Sequence, residues 1–397
     1  MTVLSRYLIG ATAARSGDES SGPALLLLGL SSSTAVTGST LLAGLTIAAA
    51  FGGPLLGAAL DRSRSPGRVL ATALAGYAAG LALITVLFGR VPFALVLATA
   101  ALAGLLNPAV AGGWTAQLPA LVPPERLPRA STLDAMTFTA ASLAGPGLAG
   151  LLANLAGAPV ALTVASVFVA AAVPVAWRLP RRAERPRNPR KPTAAALFLL
   201  RNRPLRRTTV TTTLSYAGIG MAMVCYPVLG LHRLGGAGYG TLLLTVMAVA
   251  SLLVNALLAR HPLPGPPDIT VLLSTVALGS GFLATAAAPN AILLVAAAVL
   301  IGFGEGPQLS AVFAVRHREA PADVRAQAFT TAASVKIAGM AAGTAVAGPL
   351  AGQSPAVCLC AAAGLQLAAA IGYLVCSPGT GTRDGTGARR PSPARGA

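Results

Sequence analysis

Hydrophobic side chains run along this chain in blocks of about twenty, separated by short stretches rich in Pro, Gly, Arg and Asp. About 20 predominantly apolar residues are what a helix needs to cross the hydrocarbon core of a bilayer. On that ruler the pattern predicts twelve spanning helices, near 4–30, 39–60, 69–88, 91–121, 130–155 and 159–177, then 208–231, 238–259, 269–288, 291–315, 324–351 and 356–375. The breaks carry turn-forming residues, as at Ser65-Pro66-Gly67 and between Pro262 and Pro267. The longest break, 178–207, holds eleven basic residues against one acid, Glu184, together with Pro180, Pro186, Pro189, Pro192 and Pro204. Such a stretch cannot span lipid. The pattern therefore predicts an all-α membrane protein of two six-helix halves, 1–177 and 208–376, joined by a basic central loop, 178–207. The tail, 377–397, is a Gly, Pro, Arg and Ser mixture that reads as disordered.

Composition agrees and adds orientation. Of 397 residues 54% are hydrophobic and 10% charged, with a mean hydropathy of +0.71, whereas about 25% charged is usual for a soluble domain. The net charge of +18 would fit a nucleic-acid surface only if the basic residues shared a soluble face with stacking aromatics, and the central loop offers Phe198 alone. Instead the charge alternates. The loops after the even-numbered spans and the tail carry most of the 29 Lys and Arg, while the opposite loops carry only Arg90 and Arg233. By the positive-inside tendency both termini face the cytoplasm of a multi-pass cell-membrane protein, and anionic headgroups are a second partner for the basic loops.

Catalytic and metal chemistry find little support. Cys225, Cys358, Cys360 and Cys376 lie in apolar runs without ligand spacing. His232, His261 and His317 fall at loop positions, and no acidic cluster suits a diphosphate-bound metal. No metal, cofactor or enzymatic activity is expected. No cleavable signal peptide is evident, since Arg15, Asp18 and Glu19 interrupt the first apolar stretch.

The halves show traces of a repeat. Arg129-Ala130 opens the fifth span, which later reads Gly145-Pro146-Gly147-Leu148-Ala149-Gly150, and Arg325-Ala326 opens the eleventh, which later reads Gly348-Pro349-Leu350-Ala351-Gly352. Small residues four apart, as at Gly339, Gly343 and Ala347, let membrane helices approach closely. At the end of the second span stand Gly57, then Asp61-Arg62 four residues on, then Arg68. This resembles the loop signature of the major facilitator superfamily, although the glycine that usually follows the Asp-basic pair comes late, at Gly67.

The resemblance implies that family's fold, two pseudo-symmetric six-helix halves, and a secondary transporter working by alternating access on a small-molecule substrate as a monomer. It implies that Gly57, Asp61, Arg62 and Arg68 form a cytoplasmic gating motif latching the halves. A solvated turn is the alternative. The Gly145-Pro146 motif, with Gly150, Gly348 and Pro349 as helix-packing residues, resembles one associated with antiporters and so points to drug or metabolite efflux. In this family the first helix of each three-helix unit lines the cavity. Those spans carry Asn107, Trp114 and Gln117, then Ser215, Tyr216 and Tyr226, then Glu305 and Gln308. Asn107 and Trp114, seven apart, share a helix face.

Six ionisable groups fall inside spans: Arg15, Asp18, Glu19, Asp134, Glu305 and Lys336. Each costs on the order of 2.5–3.5 kcal/mol to insert and normally faces a cavity or a partner. Arg15 stands three and four residues before Asp18 and Glu19, so it is expected to pair with one of them and leave the other free. The free carboxylate and Glu305 are candidates to carry protons, the alternative for the whole set being structural ion pairing. Arg15 and Lys336 would supply counter-charge. Asp134, in the first turns of its span, is expected to serve a helix dipole or a loop contact. Export in exchange for protons is the leading function, and import or facilitated passage of a metabolite is the alternative.

Overall fold

The computed structural model describes residues 2–30, 35–181, 193–234, 237–261 and 264–375. The disordered tail and the most basic part of the central loop predicted above lie outside the described residues. Among the described residues there are thirteen α-helices and no strand. The first six are α1 (Val3–Leu30), α2 (Ala35–Arg62), α3 (Pro66–Leu87), α4 (Phe93–Leu106), α5 (Leu127–Ala156) and α6 (Ala158–Trp177). A short α7 (Thr193–Arg201) leads to α8 (Arg203–Arg233), α9 (Ala237–Arg260), α10 (Pro267–Ala287), α11 (Ala291–Glu319), α12 (Arg325–Gln353) and α13 (Pro355–Val375).

Twelve of these match the twelve predicted spans to within a few residues at most ends. The largest difference is the fourth. Pro108 has no backbone N–H to give, so α4 stops at Leu106 and the chain continues through a π-helical turn, Ala109–Gly113. The region 178–207 is also less irregular than its prolines imply. It contains α7 and the first turn of α8, where the Asn202 side chain accepts the Leu205 N–H at 3.0 Å. Elsewhere local signals act as expected: Asn290 caps α11 through the Leu293 N–H at 3.0 Å, and Gly157, at φ +91°, turns the chain from α5 into α6.

Ten helices among the described residues are long and apolar enough to cross a membrane. The remaining two long ones, α1 and α12, have 28 and 29 residues, roughly 42 Å at 1.5 Å per residue. They fall short only in apolarity, because they carry Arg15, Asp18 and Glu19 or Gln327 and Lys336. Their positions explain the exception. α1 packs against α2, α5 and α6, and α12 against α2, α8 and the π turn, so polar faces are covered by protein. Outward-facing positions on the other helices are apolar, as at Phe51, Leu102, Leu253 and Ile292, the last 80% exposed. A belt of exposed large hydrophobics is stable only against lipid.

Two separate cores hold the bundle. One gathers Tyr7, Tyr77, Trp114, Leu162 and their neighbours from the first six helices and reaches across to Phe313 and Phe329; the other gathers Tyr226, Met247, Phe282 and Leu359 from the later ones. Between them runs a seam formed by α2 on α12, α5 on α9 and α11, and the π turn on α12.

Candidate functional site

The seam is closed at the end that carries the basic loops. Asp61, the last acidic residue of α2, reaches the amino terminus of α12, where its carboxylate accepts the Ala326 N–H at 2.9 Å and the Gln327 N–H at 2.8 Å. A carboxylate there satisfies two otherwise orphaned donors and meets the positive end of the helix dipole. Further along, the Thr330 hydroxyl donates to the Gly53 carbonyl at 2.6 Å and the Ser334 hydroxyl to the Ala49 carbonyl at 2.6 Å. Such bonds need the two backbones nearly touching. A Cβ on Gly57 would stand 2.3 Å from both the Gln327 Cα and the Thr330 Oγ1, and one on Gly53 would stand 2.4 Å from the Thr330 carbonyl oxygen. Arg68 of the loop motif stays within its own half, over the Trp177 ring at 5.3 Å from its centroid, and Arg62 is exposed.

Inside the first half the ion pairing differs from the sequence expectation. Arg15 pairs neither with Asp18 nor with Glu19 but with Asp134 on α5, at 2.8 Å, with side chains 1% and 0% exposed. Tyr7 donates to the same carboxylate at 2.9 Å and Thr115 at 2.7 Å, while Arg15 also reaches Thr137 and the Asp134 carbonyl. The Arg15 guanidinium caps the Phe138 ring at 3.5 Å. Local i, i+3 and i, i+4 spacing lost because a buried arginine needs several acceptors, and the α5 face supplies them while neighbours on its own helix do not. Asp134 is therefore a fully buried partner rather than a dipole or loop group. The pair is neutral as a unit and leaves both α1 carboxylates available.

Asp18 is held by the first half alone. Its Oδ1 accepts from the Tyr77 hydroxyl at 2.6 Å and the Asn107 amide at 2.5 Å, and Ser21 lies 3.2 Å from the same tyrosine hydroxyl. Glu19 is not part of that cluster: it lies within electrostatic reach of Lys336 on α12. Glu305 on α11 also acts on Lys336 and on Glu19. The Lys336 ammonium sits 4.2 Å from the Tyr216 ring centroid and 5.4 Å from that of Phe138. Two carboxylates and one lysine, contributed by both halves, thus lie within electrostatic reach of one another at the seam, with no ion pair among them at contact distance.

The sequence profile of the Major Facilitator Superfamily matches residues 7–344. This chain belongs to the major facilitator superfamily. No curated protein sequence is similar enough to match. Among solved structures it is similar to the human organic anion transporter MFSD10 (TETRAN), at 16% identity and a TM-score of 0.75 over 94% of this chain and 98% of that one. It is also similar to a bacterial homologue of the iron transporter ferroportin in an outward-facing state, at 17% identity and 0.74 over 95% and 99%. The E. coli fucose:proton symporter FucP gives 13% identity and 0.72 over 95% and 98%. At these identities the likeness is one of fold. The chain is a multi-pass membrane transporter for small molecules, and the family's members are not enzymes.

The remaining candidates of this major facilitator protein divide. Gln308 bridges within the second half, donating to Thr275 at 2.8 Å and accepting from Ser215 at 3.0 Å. Tyr226 is wholly buried in that half's core. Gln117 donates to the Gly113 carbonyl of its own helix, and Trp114 stacks edge-on to Tyr7 at 5.4 Å. Asn107 and Trp114 both face α1, but eleven residues apart along it, at Asp18 and Tyr7, so they belong to different clusters. In the Gly-Pro motif the packing falls on Gly145, where a Cβ would meet the Glu19 Cβ at 2.7 Å and where the Ser20 hydroxyl donates to the Gly145 carbonyl. Gly150 has nothing within 4 Å of that position and is not a packing residue. Pro146 and Pro349 lie inside unbroken helices, and the surroundings of Gly348 lie outside the described residues.

Sequence reading missed two features. His317 is not in a loop but 5% exposed in the last turns of α11, 4.5 Å from the Phe329 ring. Asp268, at the start of α10, ties four helices of the second half by pairing with Arg207 and with Arg318 at 2.7 Å and accepting from Tyr373 at 3.1 Å. Asp268 closely follows a Pro-rich break, the one available hint that it caps a helix end.

Proposed function

We propose that this transporter exports a small organic compound, of the drug or secondary-metabolite class, in exchange for protons. The observation that supports it is the meeting of Glu19, Glu305 and Lys336 across the seam between the halves. Ionisable groups within a membrane interior are costly and are kept where they move charge. Protonating either glutamate removes its attraction to Lys336, so proton occupancy and the closeness of the halves become linked quantities. Asp18, anchored by Tyr77 and Asn107, is a third carboxylate able to take part. The positive-inside tendency of the basic loops supports a cytoplasmic side for the Asp61 latch, and on that reading the described state is closed to the cytoplasm.

The alternative is uptake of a metabolite together with protons. The similarity to a fucose:proton symporter supports that only as fold, and the seam carries few of the paired amides and carboxylates that sugar hydroxyls need. Reconstituted vesicles with an imposed pH gradient of either sign separate the two. Substrate-driven proton movement is expected from the parent protein, and D18N, E19Q and E305Q tested singly should reduce it in at least one case. Undiminished proton movement in all three would remove the coupling proposal.

A further inference from the structure

A narrow crevice in the seam, of about 10 Å³ and so no larger than one water in this closed state, is lined by Thr212, Arg316, Phe138, Phe313, Phe329 and Lys336. Its two cations are not equivalent. Lys336 has Glu19 and Glu305 within electrostatic reach. Arg316, 3% exposed on α11, has no carboxylate at ion-pair distance among the described residues. Its hydrogen bond is one neutral contact, Nη2 to the Thr212 hydroxyl at 3.3 Å, and its buried Nε has no acceptor. Lys336, within electrostatic reach of Arg316, is also positive.

The guanidinium lies 6.0 Å over the Phe329 ring, and with an unsatisfied Nε and no carboxylate in hydrogen-bond reach it keeps donors that a bound anion can take. The walls state what the rest of the bound molecule must be. Phe313 lies 5.7 Å from Phe138 and 5.9 Å from Phe329, centroid to centroid, the tilted geometry of packed aromatics. These rings come from α5, α11 and α12, so both halves contribute. Phe329 stands three residues beyond Ala326, which the Asp61 carboxylate binds; release of that latch would widen the crevice toward the basic-loop end.

We propose that Arg316 is the anchor for the anionic group of the transported compound, which is a monocarboxylate bearing an aryl or other apolar body that lies among Phe138, Phe313 and Phe329. A guanidinium presents paired donors that match a single carboxylate. This assignment rests on the export reading for direction of movement, but not for binding.

The test uses calorimetric titration of the purified full-length protein in detergent with 3-phenylpropanoate, 3-indolylpropanoate and 2-naphthylacetate, each against its neutral amide. At least one acid is expected to bind tenfold or more tighter than its amide, R316Q to lose that preference, and R316K to recover part of it. F313A should weaken acid and amide alike. Unliganded melting temperatures of each variant establish that it is folded. Binding of no acid in preference to its amide, or an unchanged preference in folded R316Q, overturns the assignment. Vesicle flux of the bound acid separates the two readings: acid binding at Arg316 without flux leaves the anion site standing and defeats transport, whereas flux of compounds indifferent to R316Q does the reverse.

Discussion

Replacing Asp61 with Asn should open the latch at the basic-loop end without disturbing either half. The carboxylate accepts two backbone N–H groups of α12, at 2.9 and 2.8 Å. Hydrogen bonds to a charged group are worth about 1.5–3 kcal/mol each, and a charge at a helix terminus adds roughly 0.3–1 kcal/mol. An asparagine keeps one acceptor oxygen and its shape but loses the second acceptor and the charge. The closed arrangement should therefore lose about 2–3 kcal/mol relative to the open one, which shifts their ratio by roughly 30- to 150-fold. Spin labels at R64C, between α2 and α3, and A322C, between α11 and α12, report the separation across the seam in a background lacking Cys225, Cys358, Cys360 and Cys376. Pulsed distance measurement should show the short population of the parent largely replaced by a longer one in D61N, with an unchanged melting temperature. An identical distance distribution in folded D61N would refute the argument that this carboxylate holds the seam shut.

The seam also depends on a missing side chain, so G57V should move the same distance distribution the same way, because its Cβ would fall 2.3 Å from the Gln327 Cα. The Arg15–Asp134 pair should behave as a buried unit. R15M or D134L alone should cost about 3–5 kcal/mol, and the double change R15M/D134L should cost less than either, read as melting temperature in detergent. The two glycines of the fifth span should respond with opposite sign. G150A, in open space, should be neutral or stabilising by up to ~1 kcal/mol, whereas G145A, 2.7 Å from Glu19 Cβ, should destabilise by about 1–3 kcal/mol through overpacking of α5 on α1.

The spans were readable because crossing lipid demands a contiguous apolar length, and that demand is local in sequence. The loop motif was readable for a related reason: Gly57 and Asp61 lie one helical turn apart, on one face of α2. The ion pairs were not. Spacing within α1 gave Arg15 two candidate partners, three and four residues away, and the protein uses neither, because Asp134 comes with Tyr7, Thr115 and Thr137 as a ready hydrogen-bonding cluster. Asn107 and Trp114 share a helix face by spacing, yet the α1 residues they meet, Asp18 and Tyr7, belong to separate clusters. His317 was placed in a loop because a basic run follows the apolar stretch, whereas α11 continues to Glu319 under the cover of α12.

Sequence by itself determined the class of the protein, the number and approximate limits of its spanning helices, the side on which its basic loops gather and the residues too polar to face lipid. Each follows from the cost of placing a side chain in hydrocarbon or from a charge bias along the chain, and neither depends on neighbours. Tertiary structure alone decided who neutralises whom. It gave Arg15 to Asp134, Lys336 to Glu19 and Glu305, and Asp61 to a helix end more than 260 residues away, and it left Arg316 without an anion. Pairing inside a low-dielectric bundle is set by which donors and acceptors the packed helices bring within hydrogen-bond reach, and that depends on helix rotation and crossing.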